Sequence, residues 1–151
     1  RSAISSTAES ALLFLSLLHC ENKKAELTVM LQTATGRMSD WPIRLAALLS
    51  AVETRAFDAR SWNCGRFVLA AVDAVTGSRP CVRILPDLVA TADSAGFPRA
   101  APLLARMGDV VLAPDPDRLG VVLDAGRVAF VGPRGLLRAP ITLCTIAWRI
   151  G

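Results

Sequence analysis

From Ile43 the chain reads IRLAALLSAVETRAF, with apolar residues returning at three- and four-residue intervals, and this spacing predicts a core-facing helix. Ser39 or Asp40 can cap it, Pro42 suits its first turn, and its end is expected near Phe57. After a short polar link, NCGRFVLAAVDAVTG aligns Phe67, Val68, Ala71, Val72 and Val75 on one face, with Ser61 or Asn63 as cap and Gly77 as terminator. Cys64 then falls in the first turn of this second helix. PDLVATADSAG predicts a shorter third helix closed by Gly96. Beyond residue 107 the period changes to two: DVVLA, LGVVLD, RVAFVG and ITLCTIAWRI read as four short antiparallel strands, with a turn at residues 124 to 126 and VGPRGLLRAP as a loop. Helices segregated ahead of strands imply an α+β domain, N-terminal helices packed on a small curled antiparallel sheet.

The segment before Ile43 has a different character. Its apolar run ALLFLSLL, residues 11 to 18, is shorter than the ~20 residues needed to span a bilayer. No small-x-small cleavage site follows it, and His19 stands where a lipoprotein box requires a small residue. The expectation is a helical or partly disordered extension without stable membrane insertion. At Met38 lysine gives way to arginine and glutamate to aspartate, and all nine prolines and nine of the ten glycines lie past Met38. Composition therefore divides the chain into an extension, residues 1–37, and a domain, residues 38–151. The extension is expected to be an arm, or sequence upstream of a natural start at Met38.

Charge narrows the function classes. The net +4 divides as 4 basic minus 3 acidic residues in 1–37 and 13 minus 10 in 38–151, so neither part has a concentrated field. Arginines scattered among aspartates, with aromatics at 5%, are unlike the basic stripes of nucleic-acid binders, and no nucleic-acid partner is expected. One histidine, His19, excludes multi-histidine metal centres, and no metal or cofactor is implied. Cys20, Cys64, Cys81 and Cys144 form no CxxC pair and resemble neither a disulfide framework nor a zinc knuckle, a pattern that suits a reducing compartment or buried thiols.

The feature with a direct chemical reading is Cys64 at a helix start, where free N–H groups and the positive dipole end stabilise a thiolate and can donate to an oxyanion. The alternative is an ordinary buried cysteine. Asp109, after Gly108, reads as a turn-closing residue, and Trp62 and Trp148 as core or cleft lining. The order of short motifs adds information: SWNCGRFV around Trp62, Asn63 and Cys64, Thr76-Gly77, MGDVVLA with Gly108 to Val111, RLGVVLDAG, RVAFVG, and Ala147 to Arg149. This order resembles the NlpC-like branch of the papain-like cysteine peptidases, bacterial and phage enzymes that cut peptides of cell-wall peptidoglycan. It is similar in particular to phage- and prophage-encoded members, over about residues 40–150.

The resemblance implies a papain-like NlpC-type fold with Cys64 at the nucleophile position and Trp62, Asn63, Asp109 and Leu119 lining the cleft. It also shows a departure. Active members open the second strand with a histidine base, and this chain has Arg118-Leu119-Gly120 there. A guanidinium stays protonated and cannot act as the base. The next strand, which supplies the histidine-orienting group, offers Val128, Ala129 and Phe130, none of them polar. His19 would serve only if the extension reached the cleft. The implied function is a non-catalytic structural or assembly component of a phage or prophage tail, found in the virion or in the host cytoplasm during assembly, with other tail proteins as partners. The alternative is a cysteine peptidase or amidase acting on peptidoglycan peptides through Cys64. Enzymatic activity is left open, with the emptied base position weighing against it.

Overall fold

The computed structural model describes residues 36–151, and Gly36–Gly151 form one compact unit. His19 and the ALLFLSLL run lie outside the described residues. The helix α1 covers Trp41–Val52, α2 covers Cys64–Thr76 and α3 covers Leu88–Asp93. Six strands follow: β1 Arg99–Ala100, β2 Val110–Ala113, β3 Arg118–Val122, β4 Arg127–Gly132, β5 Gly135–Pro140 and β6 Ile146–Trp148. They form one antiparallel sheet in the order β1-β6-β2-β3-β4-β5. The architecture is α+β.

The second helix forms as its sequence pattern requires. Asn63 is in extended conformation and its side chain accepts from Arg66 N–H at 3.0 Å, capping the helix start. Phe67, Val68, Ala71, Val72 and Val75 are all buried on one face. Gly77, at φ +79°, ends the helix in the left-handed conformation that glycine adopts without a Cβ penalty. Arg44 of α1 donates to the carbonyls of Ala74 at 3.0 Å and Asp73 at 3.4 Å, placing a cation at the negative end of α2.

The first helix is shorter than its periodicity suggested. It stops at Val52 because residues 53–57 serve the sheet instead: Leu136 N–H donates to Glu53 C=O, and Phe57 N–H to Gly132 C=O. That contact also explains a missed strand. VGPRGLLRAP is not a loop but the β4–β5 hairpin, and β5 is an edge strand whose exposed side chains and terminal Pro140 lack the apolar alternation of a half-buried strand. Gly135 sits so close to α1's end that a Cβ there would lie 2.2 Å from the Glu53 carbonyl oxygen. The two-residue β1 was likewise unread. ITLCTIAWRI begins as a 3-10 turn, Ile141–Leu143, and only Ile146–Trp148 pair as strand.

Strand alternation sorts the sheet into two faces. Val110, Leu112, Leu119, Val121, Ala129 and Trp148 share a core cluster with the apolar face of α2. Val111, Ala113, Val122, Val128, Phe130 and Ala147 point the other way and are joined by Ile141 and Cys144. That second face is covered by two 3-10 turns, Pro102–Leu104 and Ile141–Leu143, which pack against each other.

Asp109, immediately before β2, is wholly buried. Its Oδ1 accepts from Arg37 Nη2 and from Ile150 N–H, each at 2.9 Å, and its Oδ2 accepts from Arg106 N–H at 2.8 Å. Arg37 also donates through Nε to Ile150 C=O at 2.9 Å and through Nη1 to Met107 C=O, and its guanidinium stacks 4.4 Å over the Trp41 ring. Burial pushes the Arg37 guanidinium below its ordinary pKa, and the charge of Asp109 opposes that shift. Arg37, which composition assigned to the extension, is thus built into the described unit.

A second tie joins α3 to the sheet. Asp93 accepts from Trp148 Nε1 and Arg99 Nε, both at 2.9 Å. Bonds from Arg99 first, then from Trp148, hold its carboxyl down at about 2. Two tests follow from these ties. Asp109→Ala leaves the Arg37 guanidinium buried without its counter-charge and is expected to cost about 3–5 kcal/mol, read from urea unfolding; a loss below about 1 kcal/mol contradicts the tie. For Asp93, ionisation favours the folded state, so its contribution is complete above about pH 4 and disappears as pH falls through about 2. The stability gap between wild type and Asp93→Asn should therefore narrow on acidification across that window, and a gap independent of pH would contradict it.

Candidate functional site

The loop before α2 is held by its own polar groups. Asp58 Oδ1 accepts from Arg60 and Ser61 N–H, each at 2.9 Å, and these backbone bonds, that of Ser61 first, hold the Asp58 carboxyl below its usual range. Asp58 and Trp62 exchange backbone hydrogen bonds of 2.8 and 2.9 Å, which close the turn. The turn directs Trp62 inward, 5% exposed, with its ring edge-on to Phe67 at 6.0 Å and the Arg55 guanidinium 4.4 Å above it. Asn63 Nδ2 donates to Ala59 C=O at 3.2 Å. Cys64, the first residue of α2, is half-buried against the core cluster, and its thiol is free.

The structure brings together Trp62, Asn63 and Cys64 and separates the other sequence candidates from them. Asp109 lines no cleft, since it is wholly buried in the tie to Arg37 and Ile150. Leu119, 3% exposed, lies in the core cluster of α2. Arg118 points to the opposite face of the sheet. It stands across from Ala113, and its guanidinium lies 5.1 Å over the ring of Phe130 in the second cluster. Its Nε is buried with no hydrogen-bond partner, a state that typically costs about 1–3 kcal/mol. Of the residues at the third position, Val128 and Phe130 share that far face, and Ala129 faces α2 with no exposed surface.

Among the described residues, no hydrogen bond engages Cys64 Sγ and no group of three or more His, Cys, Asp or Glu has a metal-binding arrangement. Proton transfer to a leaving amine is worth about 10²- to 10⁴-fold in rate, and among the described residues the helix-side positions of β3 and β4, Leu119, Val121 and Ala129, carry no group that can perform it. A groove of about 390 Å³ opens between α1 and the C-terminal half of α2, lined by Arg44, Leu48, Asp73 and Arg79 among others, and Cys64 is not part of its lining. No helix of the described residues is long and apolar enough to cross a membrane.

The remaining cysteines differ in kind. Cys81 is disulfide-bonded, contrary to the reading of all four as plain thiols. Cys144 is a free thiol on the far face, 8% exposed, and burial pushes its pKa up against the opposing charge of Arg118. Arg37 and the Asp93–Trp148 tie were not legible as polar connections. Their partners lie 72 and 55 positions away in sequence, beyond any local motif.

The fold and site define an α+β domain with a cysteine at the start of the helix that packs on an antiparallel sheet. A family described as a domain of unknown function, DUF6950, matches residues 36–87 and 85–150, and the chain belongs to that family. The matched span begins where the compact unit begins. No curated protein matches the chain.

Exposure and ionisation set the expected order of thiol reactivity. In native protein at neutral pH, Cys64 should react with a disulfide reagent at least about tenfold faster than Cys144, with both reacting alike after unfolding. Equal native rates, followed by peptide mapping, would contradict this placement.

Proposed function

We propose that the chain is an NlpC-like domain in which α2 and the strands behind it keep a papain-like framework without the catalytic base, and that it acts as a non-catalytic structural or assembly component of a phage or prophage tail. Its partners on this reading are other tail proteins, and its place is the virion or the host cytoplasm during assembly. One observation carries the non-catalytic part: the sheet face against α2 presents Leu119, Val121 and Ala129, each no more than 3% exposed, while Arg118 turns to the other face. The resemblance in motif order supports the NlpC-like part, and the apolar face explains why Cys64 stands without a base.

The second reading, a cysteine peptidase or amidase on peptidoglycan peptides, rests on the half-buried, unbonded thiol of Cys64 at a capped helix start. The two separate cleanly. Full-length protein incubated with purified peptidoglycan is expected to release no peptide fragments by mass spectrometry, and Cys64→Ala to be indistinguishable from wild type. Fragment release abolished by Cys64→Ala would establish the hydrolase instead. The tail assignment predicts the chain in purified particles after induction of the prophage that encodes it, and its absence there would remove that assignment.

A further inference from the structure

We infer that the sheet face opposite α2 is a self-association surface, at which a second copy of this chain docks through the same face. The apolar part consists of the two 3-10 turns that cover this face. They pack against each other, yet Leu103 is 76%, Leu104 66% and Leu143 51% exposed. Ala100 and Ala105, flanking the first turn, and Ile141 and Cys144, flanking or within the second, reach into the cluster beneath, so the leucines stand on top of an already filled layer. Among the described residues they are not needed to complete the core beneath.

The polar part lies at the same end of the sheet. Thr145 N–H donates to Leu112 C=O, which brings the end of the second turn against the end of β2, where the chain turns through residues 114–117 into β3. Arg118 lies on this face, close enough to Cys144 for its charge to act on that thiol. Among the described residues its guanidinium makes no ion pair or hydrogen bond, and the exposed Asp115 and Asp117 of the adjoining turn make none through their side chains either. The face therefore carries leucines together with an unpaired cation and unpaired carboxylates.

This combination selects the occupant. An acidic partner would satisfy Arg118 and meet repulsion from Asp115 and Asp117, and a basic partner would do the reverse. A second copy related by a two-fold axis that passes between Arg118 and the adjoining turn sets Arg118 of each copy against the acidic turn of its neighbour, with the leucines flanking that axis.

The test is sedimentation equilibrium of the full-length chain over micromolar to submillimolar concentration, with circular dichroism to confirm folding of each variant. A reversible monomer–dimer equilibrium is expected. Leu104→Asp, at an exposed position, should raise the dissociation constant at least about tenfold. Arg118→Asp and the double variant Asp115→Asn/Asp117→Arg should each weaken self-association by a similar factor. An equimolar mixture of the two charge variants should recover dimer near the wild-type level, because opposite charges then face each other in the mixed pair. A wild-type protein that stays monomeric throughout, a dimer indifferent to Leu104→Asp, or a mixture that fails to recover overturns the proposal.

Discussion

The buried pair of Arg37 and Asp109 is the constraint on which the rest of the unit depends. One carboxylate, wholly buried, accepts from Arg37 at the start of the unit, from the Arg106 amide ahead of β2 and from the Ile150 amide after β6. Desolvating two charges is costly, and the cost is met only because the lone pairs of Asp109 are taken by three donors. The same residue anchors strand register: its carbonyl accepts from Val122 N–H, and the neighbouring Gly108 N–H donates to Val122 C=O. Register in turn decides which side chains face α2. A shift by one residue would exchange Leu119 for Arg118 on the helix side. The electrostatics around Cys64 thus follow from a pair of charges that never approach it in sequence.

The helices were the most legible part of the chain, for a local reason. The face of α2, its Asn63 cap and its Gly77 terminator are all encoded within fifteen consecutive residues, so periodicity and capping chemistry suffice. β2, β3 and β4 were legible as apolar runs because both their faces are buried, but a run of that kind does not say which residue points where. β5 was hidden by its own edge position, since solvent-facing Leu137 and Arg138 and the closing Pro140 carry loop chemistry. Its partners, the carbonyl of Glu53 on one side and β4 on the other, come from distant segments.

The candidate site was legible only in part. Cys64, Asn63 and Trp62 are near neighbours in sequence and fold into one turn-and-helix-start unit, so they stay together. Positions drawn from other strands depend on alternation, and there the parity of β3 decides the matter: Leu119 faces α2, and Arg118 is paired across from Ala113, whose small side chain leaves room for the guanidinium over Phe130.

The packing around α2 also bears on why the helix-side face holds no base. Leu119 and Ala129 share a cluster with Phe67, Val68, Val72 and Trp148, all at or near full burial. Placing an imidazole or carboxylate among them would desolvate a polar group with no partner in reach, a cost that burial of this kind does not return. A catalytic sheet resolves that conflict by leaving a polar cleft between helix and strand. This one closes the space with apolar side chains, and β3 turns its cation, Arg118, to the far face, over Phe130.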